Sequence, residues 1–108
     1  MPKFLVEGRY TPEGLRALAH EKPSSRQAVL KETFASVGGK LEAVYYALGG
    51  TDVYVVFECP DHVSAAAVSL AASSTGMIRT KTIPLLTIEE ADRAICTKTS
   101  YRAPGVKK

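Results

Sequence analysis

Tryptophan is absent from this chain of 108 residues, and cysteine occurs only at Cys59 and Cys96. With no CxxC spacing, the two thiols support neither a disulfide framework nor a thiolate metal site, and they suit a reducing cytoplasm. His20 and His62 have no partner at ligand spacing, so neither a metal nor another cofactor is expected. No run of about 18 apolar residues occurs, which argues against a membrane-spanning helix. The opening Met1-Pro2-Lys3-Phe4-Leu5-Val6 reads as a strand, not as a signal peptide. P-loop, GxGxxG, GxSxG and HExxH patterns are all missing, so phosphate-cradle, dinucleotide, nucleophile-elbow and zinc-protease chemistries have no support.

The net charge of +3 and a pI near 9.0 suggest a nucleic-acid partner only until the charges are placed. Arg93, Lys98, Arg102, Lys107 and Lys108 all follow the last acid, Asp92. Residues 1–92 hold nine bases against eleven acids, a net −2. The basic character therefore belongs to a tail over 96–108, and neither nucleic acid nor membrane is an expected partner.

What is present is a clear alternation of periods. Lys3 to Tyr10 reads as a strand, and Thr11-Pro12-Glu13 opens a helix with a threonine cap, proline in the first turn and an acid at the positive dipole end. Pro23 interrupts that helix, and Ser24 to Gln27 carries a capping-box pattern that restarts it. Leu30, Phe34 and Val37 share its core face, and Gly38-Gly39 closes it. Lys40 to Leu48 and Val53 to Glu58 form a hairpin around Gly49-Gly50-Thr51-Asp52. Asp61 caps an alanine-rich helix ending near Gly76, and Met77 to Ile83 is a strand halted by Pro84. Thr87-Ile88-Glu89-Glu90 starts a short last helix to about Ile95.

Two β-α-β units with right-handed crossovers give an α+β domain over 1–95 of β-α-β-β-α-β order, with an antiparallel sheet in strand order 4-1-3-2 and both main helices on one face. That is a ferredoxin-like fold. Its uncovered face should alternate to polar, yet the central strands do not. Val53, Val55 and Phe57 occupy one face of the third strand, and Tyr54 and Val56 the other. In the second strand, Leu41, Ala43 and Tyr45 oppose Val44, Tyr46 and Leu48. A second copy laying its sheet on the first, as a homodimer or higher oligomer, is the expected cover; a terminal helix or tail folded over the sheet is the alternative.

The strand order brings Arg9, Asp52 and Arg79 to one sheet edge, with Glu7, Tyr54 and Lys81 deeper on the same strands and Tyr46 on the adjoining one. These seven are the candidate binding residues, converging on an apolar inter-sheet cavity suited to a small organic molecule. Each also has a plain structural reading. Aspartate after a Gly-Gly turn favours backbone capping, Arg9 and Arg79 can pair with it, Glu7 and Lys81 can pair across strands, and sheet tyrosines often sit half-buried with wet hydroxyls.

Arg9-Tyr10-Thr11-Pro12-Glu13-Gly14, Gly38-Gly39-Lys40-Leu41-Glu42, Pro60-Asp61 before the alanine-rich helix, and Arg79-Thr80-Lys81-Thr82 make the chain resemble the GYD-domain family of small bacterial and archaeal proteins from about Phe4 to Ala91. The name-giving triplet stands here as Gly50-Thr51-Asp52, with threonine in place of the aromatic. The resemblance implies a ferredoxin-like protomer and, through the wider group of dimeric α+β barrels, face-to-face sheets. It implies no particular activity.

Four functions follow. The first is a small oligomeric module binding an organic molecule between sheets. The second is a cofactor-independent enzyme of the barrel type, monooxygenase- or isomerase-like, with Asp52 or Glu7 as base and Arg9 or Arg79 steadying an anion. The third is a purely structural oligomer. The fourth, single-stranded RNA on the open face, lacks the glycine-aromatic signature and meets an acidic domain body.

Overall fold

The computed structural model describes residues 1–105. Strands β1 (Lys3–Tyr10), β2 (Lys40–Tyr46), β3 (Val53–Glu58) and β4 (Ile78–Leu85) form one antiparallel sheet in order β2-β3-β1-β4. Helices α1 (Pro12–Glu21), α2 (Pro23–Ala35), α3 (His62–Ser73) and α4 (Ile88–Cys96) complete the chain. This is the ferredoxin-like α+β layout read from the sequence, with the first helix split in two.

The split is Pro23's doing. Lys22 takes a left-handed φ of 78°, and Pro23, which needs no donor, begins α2 directly after it. The expected Ser24 capping box does not form, because Ser24 already lies inside the first turn; Ser25 Oγ donates instead to the carbonyls of Glu21 and Lys22. Helix α3 begins as expected, with Asp61 Oδ1 accepting from Ser64 N–H at 2.8 Å. Pro84 does not halt the last strand. It lies opposite Phe4 on an edge strand, where a missing donor costs no ladder bond on the solvent side, and β4 continues to Leu85.

The core lies between sheet and helices. Phe57 is fully buried and stacks on Phe34 at 4.3 Å and on Phe4 at 5.3 Å between ring centroids. Val6, Val53, Val55, Cys59 and Ala65 complete it, and burial pushes the Cys59 thiol above its ordinary range, as befits an inert core thiol.

A register shift between Leu41 and Ala43 corrects the reading of β2. Leu41 pairs with Phe57, whereas Ala43 pairs with Val56, Val44 with Val55 and Tyr46 with Val53. The bulge at Glu42 flips the phase, so Leu41, Val44 and Tyr46 share the helix face while Ala43 and Tyr45 share the open one.

Helix α4 is closed by a complete capping box: Glu90 N–H donates to Thr87 Oγ1 at 3.1 Å, and Thr87 N–H donates to Glu90 Oε1 at 2.8 Å. The backbone bond holds the Glu90 carboxyl below the ordinary glutamate value of 4.5. Folded α4 thus takes up this proton less readily than the unfolded segment. The box favours the helix above pH 4.5, and that contribution is lost as pH falls through the depressed value. The Thr87 amide resonance is expected to titrate with a midpoint below 4.5; a midpoint at or above 4.5 would show the box open in solution.

No helix among the described residues is long and apolar enough to cross a membrane. Residues 97–105 contain neither helix nor strand, and the end of the basic tail, including Lys107 and Lys108, lies outside the described residues.

Candidate functional site

The ladder sorts the seven residues read from the sequence. Glu7 lies opposite both Tyr54 and Lys81, and Arg9 lies opposite Arg79, so these five share the open face at one end of the sheet. Tyr46 does not join them. The bulge turns it to the helix side, and Tyr45, opposite Tyr54, takes the open-face position.

Asp52 sits at the same edge in a backbone-holding role. Its Oδ2 accepts from Tyr10 N–H at 2.8 Å, and its own N–H donates to Gly8 O at 2.9 Å. The two residues before it act alike: Arg9 Nε donates to Gly50 O at 2.7 Å, and Thr51 Oγ1 lies 3.4 Å from Glu7 Oε1. The Gly50-Thr51-Asp52 turn therefore clasps the end of β1, one contact per residue. A carboxylate holding a backbone amide has a lone pair committed to the fold, which weakens its case as a general base. Among the described residues no polar or charged side chain is buried, and no group of His, Cys, Asp and Glu is arranged to hold a metal ion.

The stronger concavity is on the other side of the sheet and was not legible in the sequence. Helix α2 packs chiefly against β2 and α3 against β4, so the central strands face a gap between them. The result is a cavity of about 340 Å³. Its floor is Val6, Val53 and Val55, and its walls include Leu18 from α1, Leu30 and Phe34 from α2, and Val68 and Ala72 from α3. Two local features keep it open. Pro23 and Lys22 turn α1 away from the α2 axis, and α3 presents small residues such as Ala72 and Ser69.

Polar groups gather at the rim. Arg26 Nη1 lies 3.6 Å from Glu21 Oε1, a long contact between two partly exposed side chains. Tyr10 lines the wall, and burial, with Tyr46 beside it, raises its phenol well above the ordinary tyrosine range. The phenol is therefore a neutral O–H, able to donate, across the whole working pH range. The hydroxyls on the α3 side are engaged locally: Ser69 bonds Thr82, Ser73 Oγ is 3.1 Å from Thr80 Oγ1, and Thr75 Oγ1 donates to Ala72 O at 2.7 Å. Arg26 and Tyr10 are thus the groups placed to orient a guest. The only hint in the sequence was Arg26 within an otherwise weakly amphipathic helix start, which is too common to single out.

In comparison with known proteins, the family model described as GYD domain fits residues 4–95. No curated protein and no solved structure matches the chain.

Proposed function

We propose that this chain, which belongs to the GYD-domain family, is a small-molecule-binding domain whose ligand occupies the cleft between sheet and helices. The observation that carries this reading is a valine-floored cavity of about 340 Å³ with a cation and a phenol at its mouth. That volume lies within the usual range for ligand pockets, roughly 300–1,000 Å³, and the pattern of apolar walls with few polar groups is the usual one. Leu18, Leu30, Val68 and Ala72 stay half-exposed along the walls, so a guest removes apolar surface from water on both sides of the contact.

The chemistry favours a largely apolar molecule ending in one carboxylate. Arg26 holds Glu21 only at 3.6 Å, and a bidentate carboxylate makes a shorter, stronger pair with a guanidinium. The Tyr10 hydroxyl supplies a second donor. Isothermal titration with decanoate, decanol and decylamine tests the reading. Decanoate is expected to bind best, with Arg26→Ala weakening it about tenfold and Ala72→Phe, which fills the cleft, abolishing it. Equal binding of all three probes, or decanoate binding indifferent to Ala72→Phe, would reject the cleft as the site.

A further inference from the structure

Helix α1 is seated at one end and open at the other. Gly14, Ala17, Leu18 and Glu21 recur at helical spacing on the side that lines the cleft. Gly14 is buried against the Met77 backbone, and Thr11 fastens that turn through the Met77 carbonyl. Beyond Gly14 no residue of α1 is buried: Leu18 is half-buried, Ala17 and Glu21 are exposed, and Leu15 is 46% exposed. The apolar stripe of α1 thus passes over the cleft without closing on its floor.

The open end carries strain. Lys22, between α1 and α2, is the one non-glycine residue among the described ones with a positive φ, 78°. Its ψ of 141° is ordinary for a residue before proline, since Pro23 bars the helical region. Only φ is out of place, and rotation to about −120° would return Lys22 to the extended region. That rotation turns α1 as a body relative to α2. Among the described residues, the polar contacts from α2 back to α1 both end on Glu21. Ser25 Oγ donates to Glu21 O at 3.2 Å, and Arg26 Nη1 stands 3.6 Å from Glu21 Oε1. A partly exposed ion pair at that distance holds weakly, whereas a lysine in this region of backbone space is costly to keep.

We infer that α1 is a flap over the cleft, seated at Gly14 and hinged at Lys22, which the Glu21–Arg26 pair holds open until a guest carboxylate takes Arg26. The inference rests on the cleft being the ligand site. One guanidinium fork matches one carboxylate bidentately, so a guest that engages Arg26 in this way displaces Glu21, and the two like charges then repel. Freed at that end, α1 lowers Ala17 and Leu18 onto the apolar body of the guest while Lys22 relaxes. Contact with those two side chains exists only in the closed form, which supplies the differential affinity that a ligand-driven closure requires. The gap in the empty protein is also the entrance.

Nitroxide labels at Ala19→Cys, an exposed position of α1 that does not line the cleft, and at the exposed Glu32→Cys on α2 read the motion by dipolar electron resonance. The chain carries Cys96→Ser, and the remaining Cys59 is buried. Decanoate is expected to move the label distance to a second, resolved value, and Glu21→Gln with Ser25→Ala to populate that value with no guest present. Lys22→Gly, which takes a φ of 78° without strain, should favour the open form and weaken decanoate about fivefold in calorimetry. If decanoate binds and the label distance stays, the flap falls and the cleft stands. If decanoate does not bind yet the double variant moves the labels, the ligand reading falls and the flap stands. A distance that neither treatment moves overturns the flap, as does a Lys22→Gly chain that binds decanoate as tightly as the parent.

Discussion

Phe57→Ala is expected to destabilise the domain by about 3–5 kcal/mol, the usual cost of emptying an aromatic site in a closed core. Phe57 is fully buried near the end of β3 and stacks on both Phe34 of α2 and Phe4 of β1. The cavity left behind has a sheet beneath it and a helix above, and neither can collapse without breaking ladder or helix bonds. Both stacking contacts are lost together with the buried area, and each is worth about 0.5–1.5 kcal/mol beyond area alone. Because small domains are stable by only about 5–15 kcal/mol, the loss is a large share of the total. Urea unfolding checks it; a loss below about 1 kcal/mol would mean that the three rings do not form one packed stack in solution.

Gly14→Ala is the second large effect, and here two opposed terms decide the sign. Within an exposed helix, alanine for glycine stabilises by about 1 kcal/mol. Gly14, however, is buried in the first turn of α1, where a Cβ would fall 1.9 Å from Met77 O and 2.8 Å from Met77 C. Those are backbone atoms, and they cannot swing aside. Met77 O is also held by Thr11 N–H at 2.9 Å and by Thr11 Oγ1 at 3.2 Å, while Thr11 caps the helix through Gly14 N–H at 3.0 Å. Relief of the clash must lift α1 off the chain entering β4 and break that cluster. Overpacking costs about 1–3 kcal/mol in an adaptable core and more against fixed backbone, so the steric term outweighs the propensity gain. The variant should unfold at least about 2 kcal/mol more easily. It should also bind decanoate more weakly, since Gly14 and Met77 both border the cleft. A variant as stable as the parent would show that α1 does not dock this closely.

Residues in the stretches that resemble the GYD-domain family have physical work in this fold. Gly14 permits the approach of α1 to Met77, and Gly50, Thr51 and Asp52 hold the end of β1. The threonine in place of the aromatic puts its hydroxyl beside Glu7, on the open face of the sheet.

Local chemistry accounts for what the sequence determined by itself. Thr11-Pro12, Asp61, and Thr87 with Glu90 start helices because a side-chain oxygen within three residues satisfies an orphan amide, whatever the rest of the chain does. Apolar periodicity and the β-α-β connections then limited the sheet to one order, the one observed. Tertiary structure decided the remainder, because each case depends on partners far apart in sequence. The bulge at Glu42 appears only once β2 is laid against β3, and it moved Tyr46 to the helix side. Pro84 reads as a stop unless its strand is known to be an edge. Asp52 reads from the sequence as a backbone cap after Gly49-Gly50, yet only the fold shows that the amide it holds is Tyr10 N–H, 42 positions away. The cleft depends on the angle at which α1 and α2 diverge over the central strands, and no single residue encodes that angle. A ladder or a cap is written in neighbouring residues, whereas a cavity is the space several elements leave between them.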